Sequence, residues 1–250
     1  MLKDERFNKI IDLVNRRGSV KTIEIAEELN VSLATIRRDL NELDENKKIK
    51  KIFGGAKSIK APHFITIEES ILEKNKMHMP EKNELGKFAA RLINDDDFIY
   101  MDAGSSVEAI VPYIEAKNLT FVTNSLGIAR ELSSLKYKVF ILPGELKLTT
   151  DSITGSAASE YIKRFNFKLG FFGTNGIDYD FGFTTPDINE AIVKTEALSR
   201  CEDAYVVADQ SKFGKLSQIT FSDDRSLKII TNDKEGKDIR VFITNLKEGK

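Results

Sequence analysis

Residues 32–40 place polar and basic side chains opposite an apolar helical face, an arrangement that can read DNA. At about 100° per residue, one side of this helix gathers Leu33, Ile36, Leu40 and Leu43. The opposite side presents Ala34, Arg38 and Asn41, with Thr35 and Arg37 at its margins. Arginine bonds guanine edges or phosphates, and threonine and asparagine bond bases or backbone. The pattern fits either a helix that enters a DNA groove or an ordinary amphipathic surface helix.

The residues on either side of this helix favour DNA binding. Apolar spacing predicts a first helix over residues 4–17 that ends at Gly18, and Thr22 is the predicted N-cap of a second helix. Ser32 caps the third, which completes a helix-turn-helix pattern. Residues 47–55 alternate Lys and Ile before a glycine pair, which predicts a basic hairpin wing along phosphates. The predicted DNA contacts are Thr22, Ser32, Ala34, Thr35, Arg37, Arg38, Asn41, Lys50, Lys51 and Gly54.

A second group of polar residues follows the predicted strands of the remaining chain. Small polar and glycine residues at strand ends that lead into helices suit a phosphate or another anion, although each also fits an ordinary turn or helix cap. Lys194 is either an exposed partner of Glu190 or a residue that reaches this pocket. No P-loop and no dinucleotide-binding fingerprint is present, which disfavours nucleotides. The predicted ligand contacts are Asp102, Gly104, Ser105, Ser106, Thr123, Asn124, Gly173, Asn175, Lys194, Asp209 and Lys212.

Alternating strands and helices are predicted to position these loops in a mostly parallel, helix-covered α/β domain. The predicted strands cover residues 98–101, 119–122, 139–142, 169–172, 205–208 and 227–230. The predicted helices cover residues 84–93, 106–117, 125–134, 156–165 and 189–201. The expected domains are a winged helix-turn-helix over residues 1–57, a connector over residues 58–83 and the α/β domain over residues 84–250. Within the connector, Ile65, Ile67, Ile71 and Leu72 predict partial docking on that domain.

Composition divides the chain in the same way. Residues 1–60 hold 14 Lys and Arg against 10 Asp and Glu, whereas the other 190 residues hold 24 against 29. A basic head on an acidic body is typical of a DNA-binding module joined to a sensor. No apolar run approaches a membrane span, and the first residues lack the core of a signal peptide. One cysteine, Cys201, predicted to be buried and unreactive, fits a reducing cytoplasm, and no cofactor or metal site is expected.

Several motifs resemble the DeoR family of bacterial transcriptional repressors. The resemblance lies in Val31-Ser32 with Thr35-Ile36-Arg37-Arg38-Asp39-Leu40, in Gly54-Gly55-Ala56, and in the loops after residues 101, 122, 172 and 208. Residues 182–187 with Glu190 and Lys194, followed by 211–214, are most similar to repressors of fructose-utilisation operons. The resemblance implies a sensor domain related to ribose-5-phosphate isomerase and, for that branch, fructose 1-phosphate as effector. The chain departs from the family at Phe53 and Lys51, where His and Arg are usual, at Ser105-Ser106, where Thr is frequent, and at Glu145, where a second Gly often stands.

These observations leave more than one function open. The first is a repressor whose operator affinity depends on a phosphorylated sugar, with tagatose 6-phosphate as an alternative effector. The second is a sugar-phosphate isomerase that uses Asp102, Glu145 or Asp209 as a base and Lys194 or Lys212 as an electrophile. A nonspecific packaging protein is disfavoured by the net charge of −1. As a repressor, the chain is expected to form a homo-oligomer, a dimer or tetramer, because tight operator binding usually uses two half-sites.

Overall fold

The computed structural model describes residues 1–59, 63–64, 70–75, 77–178, 180–224, 226–232 and 239–243. The head, residues 1–57, folds into helices and short strands in the order α1 (Lys3–Arg17), β1 (Ser19–Lys21), α2 (Thr22–Leu29), α3 (Leu33–Glu45), β2 (Lys50–Ile52) and β3 (Gly55–Lys57). The strands form an antiparallel sheet in the order β1-β3-β2. Its core joins all three helices through Ile10, Val14, Ile25, Ile36 and Leu40, which are at most 1% exposed. The head is a winged helix-turn-helix.

In the head, the structure confirms the predicted end of one helix and the predicted start of another, and it contradicts the predictions for two residues. Helix α1 ends at Gly18, and the Ser32 hydroxyl caps α3 by accepting from the Thr35 amide at 3.2 Å. Leu33, expected inside, is 41% exposed, because it opens α3 one turn before the first buried residue, Ile36. Thr22 is not an N-cap: the cap is Lys21, and the Thr22 amide donates to the Gly54 carbonyl at 2.7 Å. That bond fastens the start of α2 to the wing turn, where Gly54 takes a φ of +74°.

The connector and the following α/β body are built from more elements than the sequence predicts. The connector contains β4 (His63–Phe64) and α4 (Ile71–Lys74), and α5 (Met79–Ala90) begins inside its predicted range. The body continues as β5 (Phe98–Met101), α6 (Ser105–Glu108), β6 (Thr120–Thr123), α7 (Leu126–Ser134), β7 (Lys138–Ile141), β8 (Glu145–Lys147), β9 (Ser152–Thr154), α8 (Ser156–Ile162), β10 (Phe167–Phe172), β11 (Gly176–Asp178), β12 (Gly182–Thr185), α9 (Ile188–Ser199), β13 (Cys201–Val207), β14 (Lys215–Leu216), β15 (Ile219–Ser222), β16 (Lys228–Asn232) and β17 (Ile239–Ile243).

The main sheet of the body, as far as the structure describes it, has seven strands in the order β17-β16-β13-β10-β5-β6-β7. Neighbouring strands are parallel except for the antiparallel pair β16 and β17. Alternate residues of each strand face two separate cores: Ile99 and Phe171 pack towards α5 and α7, whereas Tyr100 and Phe172 pack towards α8 and α9. The predicted mostly parallel, helix-covered α/β class is therefore confirmed.

One predicted helix is much shorter in the structure. Residues 106–117 were expected to be helical throughout, but α6 ends at Glu108 and a separate 3-10 turn covers Val111–Tyr113. Pro112 contributes to the break, because proline lacks the amide that would donate to the Glu108 carbonyl in a continuous helix. The antiparallel hairpin β8–β9 and the small sheet β11-β12-β15 were not predicted at all.

The connector docks on the body, and the head contacts the body as well. Strand β4 pairs in parallel with β14, His63 opposite Lys215 and Phe64 opposite Leu216. Lys57, at the end of the wing strand β3, forms an ion pair with Asp180 at the turn between β11 and β12. Ile65 and Ile67, expected to help the docking, lie outside the described residues, as does the side chain of Leu72. No helix in the described ranges is both long and apolar enough to span a bilayer.

Candidate functional site

The outward face of α3 presents the side chains that the sequence assigned to DNA. Ala34, Arg37, Arg38 and Asn41 are exposed, and Thr35 is half-buried. The wing lies beside this face. The Lys51 ammonium donates to the side-chain oxygen of Asn41, and the Lys51 backbone amide donates to the Asp44 carboxylate at 2.9 Å. Lys50 and Gly54 are also exposed on the wing, whereas Thr22 is only 9% exposed. The structure thus brings the helix and the wing together on one basic surface.

Asp39 sets the orientation of this helix, a role that the sequence reading missed. It is 4% exposed and accepts two hydrogen bonds from Arg6 of α1, at 2.5 Å from Nε and 3.1 Å from Nη2. A bidentate pair fixes both distance and angle between the two side chains. The sequence did contain a signal for this role, because Asp39 is three residues after Ile36 and so falls on the inward face of α3. The pair holds α3 against α1 while Arg37 and Arg38 face outward.

A polar crevice lies where the order of the main sheet reverses. The chain runs from β5 to β6 and β7 on one side and then crosses to β10 on the other side of β5. Ligands of open α/β sheets bind at such a switch point, beyond the carboxyl ends of the strands. Here Asp102 after β5 accepts a hydrogen bond from the Gly173 amide after β10, at 3.0 Å. The crevice is lined by Lys74, Asp102, Ala103, Asn124, Thr150, Ser152, Gly173, Thr174, Asn175, Glu190 and Lys194.

Lys194 reaches this crevice from α9. Its ammonium forms an ion pair with Asp102 and donates to the Gly173 carbonyl at 3.2 Å. Lys194 is 4% exposed and Asp102 is fully buried, so the pair is shielded from water. Of the two roles that the sequence left open for Lys194, the structure shows the one inside the pocket. The ion pair joins Lys194 to a residue 92 positions earlier in the sequence.

The buried carboxyl group of Asp102 has a raised pKa. Burial raises its pKa above the ordinary aspartate value, and the charge and hydrogen bond of Lys194 offset only part of that effect. Its Oδ2 atom holds Lys194 and Gly173, but Oδ1 has no hydrogen-bond partner among the residues that the structure describes. A buried oxygen without a partner is costly, and a donor such as a ligand hydroxyl would relieve that cost.

Asn124 positions the backbone of the crevice. Its carbonyl oxygen accepts from the Ala103 amide at 2.8 Å, and its amide group donates to the Ile153 carbonyl at 3.2 Å. The loop after β5, the loop after β6 and strand β9 therefore meet on one buried side chain. Thr123, the residue before it, is fully buried, and its hydroxyl accepts from the Ser125 amide at 3.0 Å. Thr123 does not line the crevice.

Glu190 forms a second charged cluster that the sequence analysis did not predict. It accepts from Lys147 at 3.0 Å, from Thr150 at 3.2 Å and from Thr185 at 2.9 Å. Burial alone would raise the pKa of Glu190, but the charges of Lys194 and Lys147 and these hydrogen bonds outweigh it and lower the pKa. Glu190 is therefore ionised at neutral pH. Lys147 ends β8, Thr150 follows it in a turn and Thr185 ends β12, so the sequence pointed to Glu190 only through the motif of residues 182–187 and through its place after Asp187, the N-cap of α9.

The other predicted ligand residues lie around the crevice at different distances. Asn175 lines it and accepts from Thr185 at 3.4 Å. Gly104 precedes α6, and Ser105 and Ser106 begin it; none of the three lines the crevice, although Gly104, with a φ of +150°, lies close to Gly173, which does. Asp209 caps a 3-10 turn through the Ser211 amide, and Lys212 ends that turn. Asp209 and Lys212 follow β13, the strand beyond β10, and do not line the crevice; neither does Glu145, which is exposed in β8.

The crevice has a volume of only about 40 Å³. Drug-sized ligands occupy pockets of roughly 300–1,000 Å³, so the crevice as the structure shows it is far smaller than such a pocket. A larger depression of about 620 Å³ lies at the other end of the central strands, between the starts of β5, β10 and β13. It is open and sits at the amino ends of the strands, away from the switch point. Cys201 borders it, and burial raises the pKa of that thiol to about 12.

A winged helix-turn-helix joined to an α/β body with a closed polar crevice defines a DNA-binding regulator with a ligand site. Family models agree: a DeoR-like helix-turn-helix domain matches residues 6–61, and a DeoR C terminal sensor domain matches residues 77–234. The chain belongs to the DeoR family of transcriptional repressors. It is thus a regulator and not an enzyme.

Similar proteins over nearly the full length carry names of regulators. The chain is 35% identical to the uncharacterized HTH-type transcriptional regulator FruR of Bacillus subtilis, over 94% of this chain and 93% of that protein. It is 36% identical to a lactose phosphotransferase system repressor of Staphylococcus epidermidis, over 93% of each chain. Among solved structures, ribose 5-phosphate isomerase A of Methanocaldococcus jannaschii aligns with a TM-score of 0.40 at 12% identity over 54% of each chain. Similarity at that level supports no conclusion about activity.

Proposed function

We propose that the protein represses a sugar-utilisation operon and that a phosphorylated sugar bound in the crevice changes its affinity for the operator. The observation that carries this proposal is the buried Oδ1 of Asp102 beside Lys194, which has no hydrogen-bond partner within the described ranges. An acceptor for hydroxyls next to an ammonium group matches a polyol that carries an anion. Asp102 and Asn175 would bind sugar hydroxyls, and the amides and hydroxyls of Ser105 and Ser106 would take the phosphate.

The names of the relatives support a sugar as the effector class. A regulator named FruR and repressors of a lactose phosphotransferase system are similar to this chain over more than nine tenths of its length. Fructose 1-phosphate is the first candidate effector, and tagatose 6-phosphate is the second. The proposal places the protein in the cytoplasm, where operator DNA and phosphorylated sugars are both present.

On the DNA side, Arg38 with Thr35 and Arg37 would contact base edges, and Lys50 and Lys51 would contact phosphates. The supporting observation is the single exposed surface that α3 and the wing form through Lys51 and Asn41. One such head offers few phosphate contacts, so two heads held by paired bodies would be needed for operator affinities of about 10⁻⁸ M or tighter. Light scattering on the full-length protein tests the homo-oligomer: a strict monomer at operator-saturating concentration contradicts it.

A thermal-shift screen tests the effector. The purified protein is heated with fructose 1-phosphate, tagatose 6-phosphate, other hexose and pentose phosphates, and the unphosphorylated sugars. A ligand at 100 times its Kd adds about 2.7 kcal/mol to the free energy of unfolding, which raises the melting temperature by several degrees. The Asp102→Asn variant should lose this shift, and Lys212→Ala tests whether the phosphate extends beyond Gly173 to the end of β13. The absence of a shift with every phosphorylated sugar would contradict the proposal.

A further inference from the structure

The tip of the wing carries a large apolar side chain that the folded head leaves in water. Phe53 is 81% exposed, whereas Phe181, the next most exposed of the phenylalanine side chains that the structure describes, is 51% exposed. With Gly54 it forms the two-residue turn between β2 and β3, since Ile52 pairs with Gly55. Aromatic side chains are enriched in binding surfaces, because covering the ring removes a large apolar area from water.

The backbone of this tip is held in place from both sides. The Gly54 carbonyl accepts from the Thr22 amide, at the start of α2, at 2.7 Å. Gly55 pairs with Lys21 of β1, and the two strands touch so closely that a methyl group on Gly55 would overlap the Val20 carbonyl oxygen. A tip that is already ordered loses little further conformational entropy when its side chain meets a partner.

The charges beside the tip indicate a polyanion as that partner. Lys50 and Lys51 come just before the turn in β2, and Lys21 lies opposite Gly55; all three lysines are exposed. The bond from Lys51 to Asn41 joins the wing to the outward face of α3, so the tip continues the surface that the proposed function assigns to DNA. Lysines attract the phosphates of a duplex, and the ring beyond them can meet only its uncharged parts, the sugars and the bases.

The length of the hairpin indicates which groove the tip reaches. A strand advances about 3.3 Å per residue, so Phe53 lies at most roughly 7 Å beyond Lys51. With α3 in the major groove and Lys51 at the phosphates that border it, this step carries the tip across one DNA strand to the neighbouring minor groove. We propose that Phe53 enters this minor groove and packs its ring against the deoxyribose and the base edges. The proposal rests on the proposed DNA-binding function of the head.

A ring in the minor groove gives the protein a sequence preference that the lysines cannot supply. Guanine places its N2 amino group in that groove, whereas A·T pairs present only acceptor atoms there and leave more room. The phenyl ring is also uncharged and releases no counterions, so it adds affinity without adding to the salt dependence of binding. Sequence preference and salt dependence therefore distinguish Phe53 from the wing lysines.

Fluorescence anisotropy on a duplex that the wild type selects from random DNA tests the contact. Phe53→Ala should raise the Kd about tenfold to a hundredfold, the loss expected when one phenylalanine side chain is no longer buried, and should leave the slope of log Kd against log salt unchanged. Phe53→Leu, which keeps an apolar side chain, should recover part of the affinity. Leu148→Ala is the control, because it removes an equally exposed apolar side chain from the body, and its Kd should stay within about twofold. Melting curves verify that each variant is folded.

Duplexes that differ only in the minor groove test where the ring lies. G·C pairs placed on either side of the α3 contacts are compared with inosine·C pairs, which lack the N2 amino group and present the same major groove. The wild type should bind the inosine duplex several-fold more tightly than the guanine duplex. Phe53→Ala should bind the two duplexes equally, whereas Leu148→Ala should keep the wild-type ratio.

The outcomes separate this proposal from the DNA-binding function on which it rests. If the wild type selects no duplex, the proposed function fails before Phe53 is tested. If the wild type selects one and Phe53→Ala binds it equally well, the assigned contact is wrong. If the wild type does not distinguish the two duplexes, or Phe53→Ala distinguishes them equally, the ring lies outside the minor groove. If Phe53→Ala has a lower mass than the wild type in light scattering, the ring joins two copies of the chain, and the proposal is overturned.

Discussion

Replacing Lys194 by Met should expose how strongly the body depends on one buried ion pair. The substitution keeps the volume of the side chain but leaves the carboxylate of Asp102, which is fully buried, without its cation. Breaking a buried pair in this way costs about 3–5 kcal/mol of the free energy of unfolding. For a domain of this size the loss corresponds to a fall of about 6–20 °C in melting temperature.

The pH dependence of this loss follows from the direction of the Asp102 pKa. Burial raises that pKa in the folded protein, so the folded state binds the proton more tightly than the unfolded state does. The contribution of Asp102 to stability is therefore fully present below its unfolded pKa and is lost as the pH rises through its folded pKa. Without Lys194 the folded pKa rises further, so the variant should lose more stability than the wild type between about pH 4 and neutral pH.

Calorimetric melting from pH 4 to pH 8 measures this prediction, and two variants control it. Lys168→Met breaks an exposed ion pair with Glu202 and should change the free energy of unfolding by less than about 1 kcal/mol at any pH. Asp102→Asn combined with Lys194→Met removes the unpaired charge and should recover part of the loss at neutral pH. A Lys194→Met protein that melts like the wild type at pH 8, or a double variant that is less stable than Lys194→Met, would refute the reasoning.

Three further predictions concern the head. Arg38→Ala should cost about 1–3 kcal/mol of operator binding if Arg38 reads a base bidentately, whereas Lys50→Ala should weaken all sequences and flatten the salt dependence; anisotropy at several salt concentrations separates the two. Asp39→Asn should lower the stability of the head by about 1–3 kcal/mol, because it weakens the buried pair with Arg6. Glu42→Gln, which breaks the exposed pair with Lys3, should cost less than about 1 kcal/mol, and equal losses in chemical denaturation would contradict the assignment. Gly55→Ala should destabilise the wing by about 1–3 kcal/mol, since the new methyl group would overlap the Val20 carbonyl oxygen. In Gly54→Ala the new methyl group meets no neighbour, so the only cost is the backbone strain of an alanine at a φ of +74°. Melting of the two variants side by side tests this order.

Features with a local physical cause could be predicted from the sequence. The Ser32 cap depends on an amide three residues away, and Gly18 ends α1 because the chain takes a φ of +72° there. The alternation of apolar strands with amphipathic helices predicted the mostly parallel, helix-covered sheet. The same reasoning failed at residues 106–117, where Pro112 was given too little weight against the apolar spacing.

The contacts that make the crevice were decided by the tertiary structure. Asp102 and Lys194 are 92 residues apart, and Lys147 and Glu190 are 43 residues apart. No periodicity or spacing relates such residues, because their distance depends on how the strands are ordered in the sheet. Lys74 shows the same limit: it lines the crevice, but a short charged segment between two prolines gave no sign of this. Local patterns determine which elements form, but the packing of those elements decides which side chains meet, because the free energy of a buried contact exists only after the chain has closed around it.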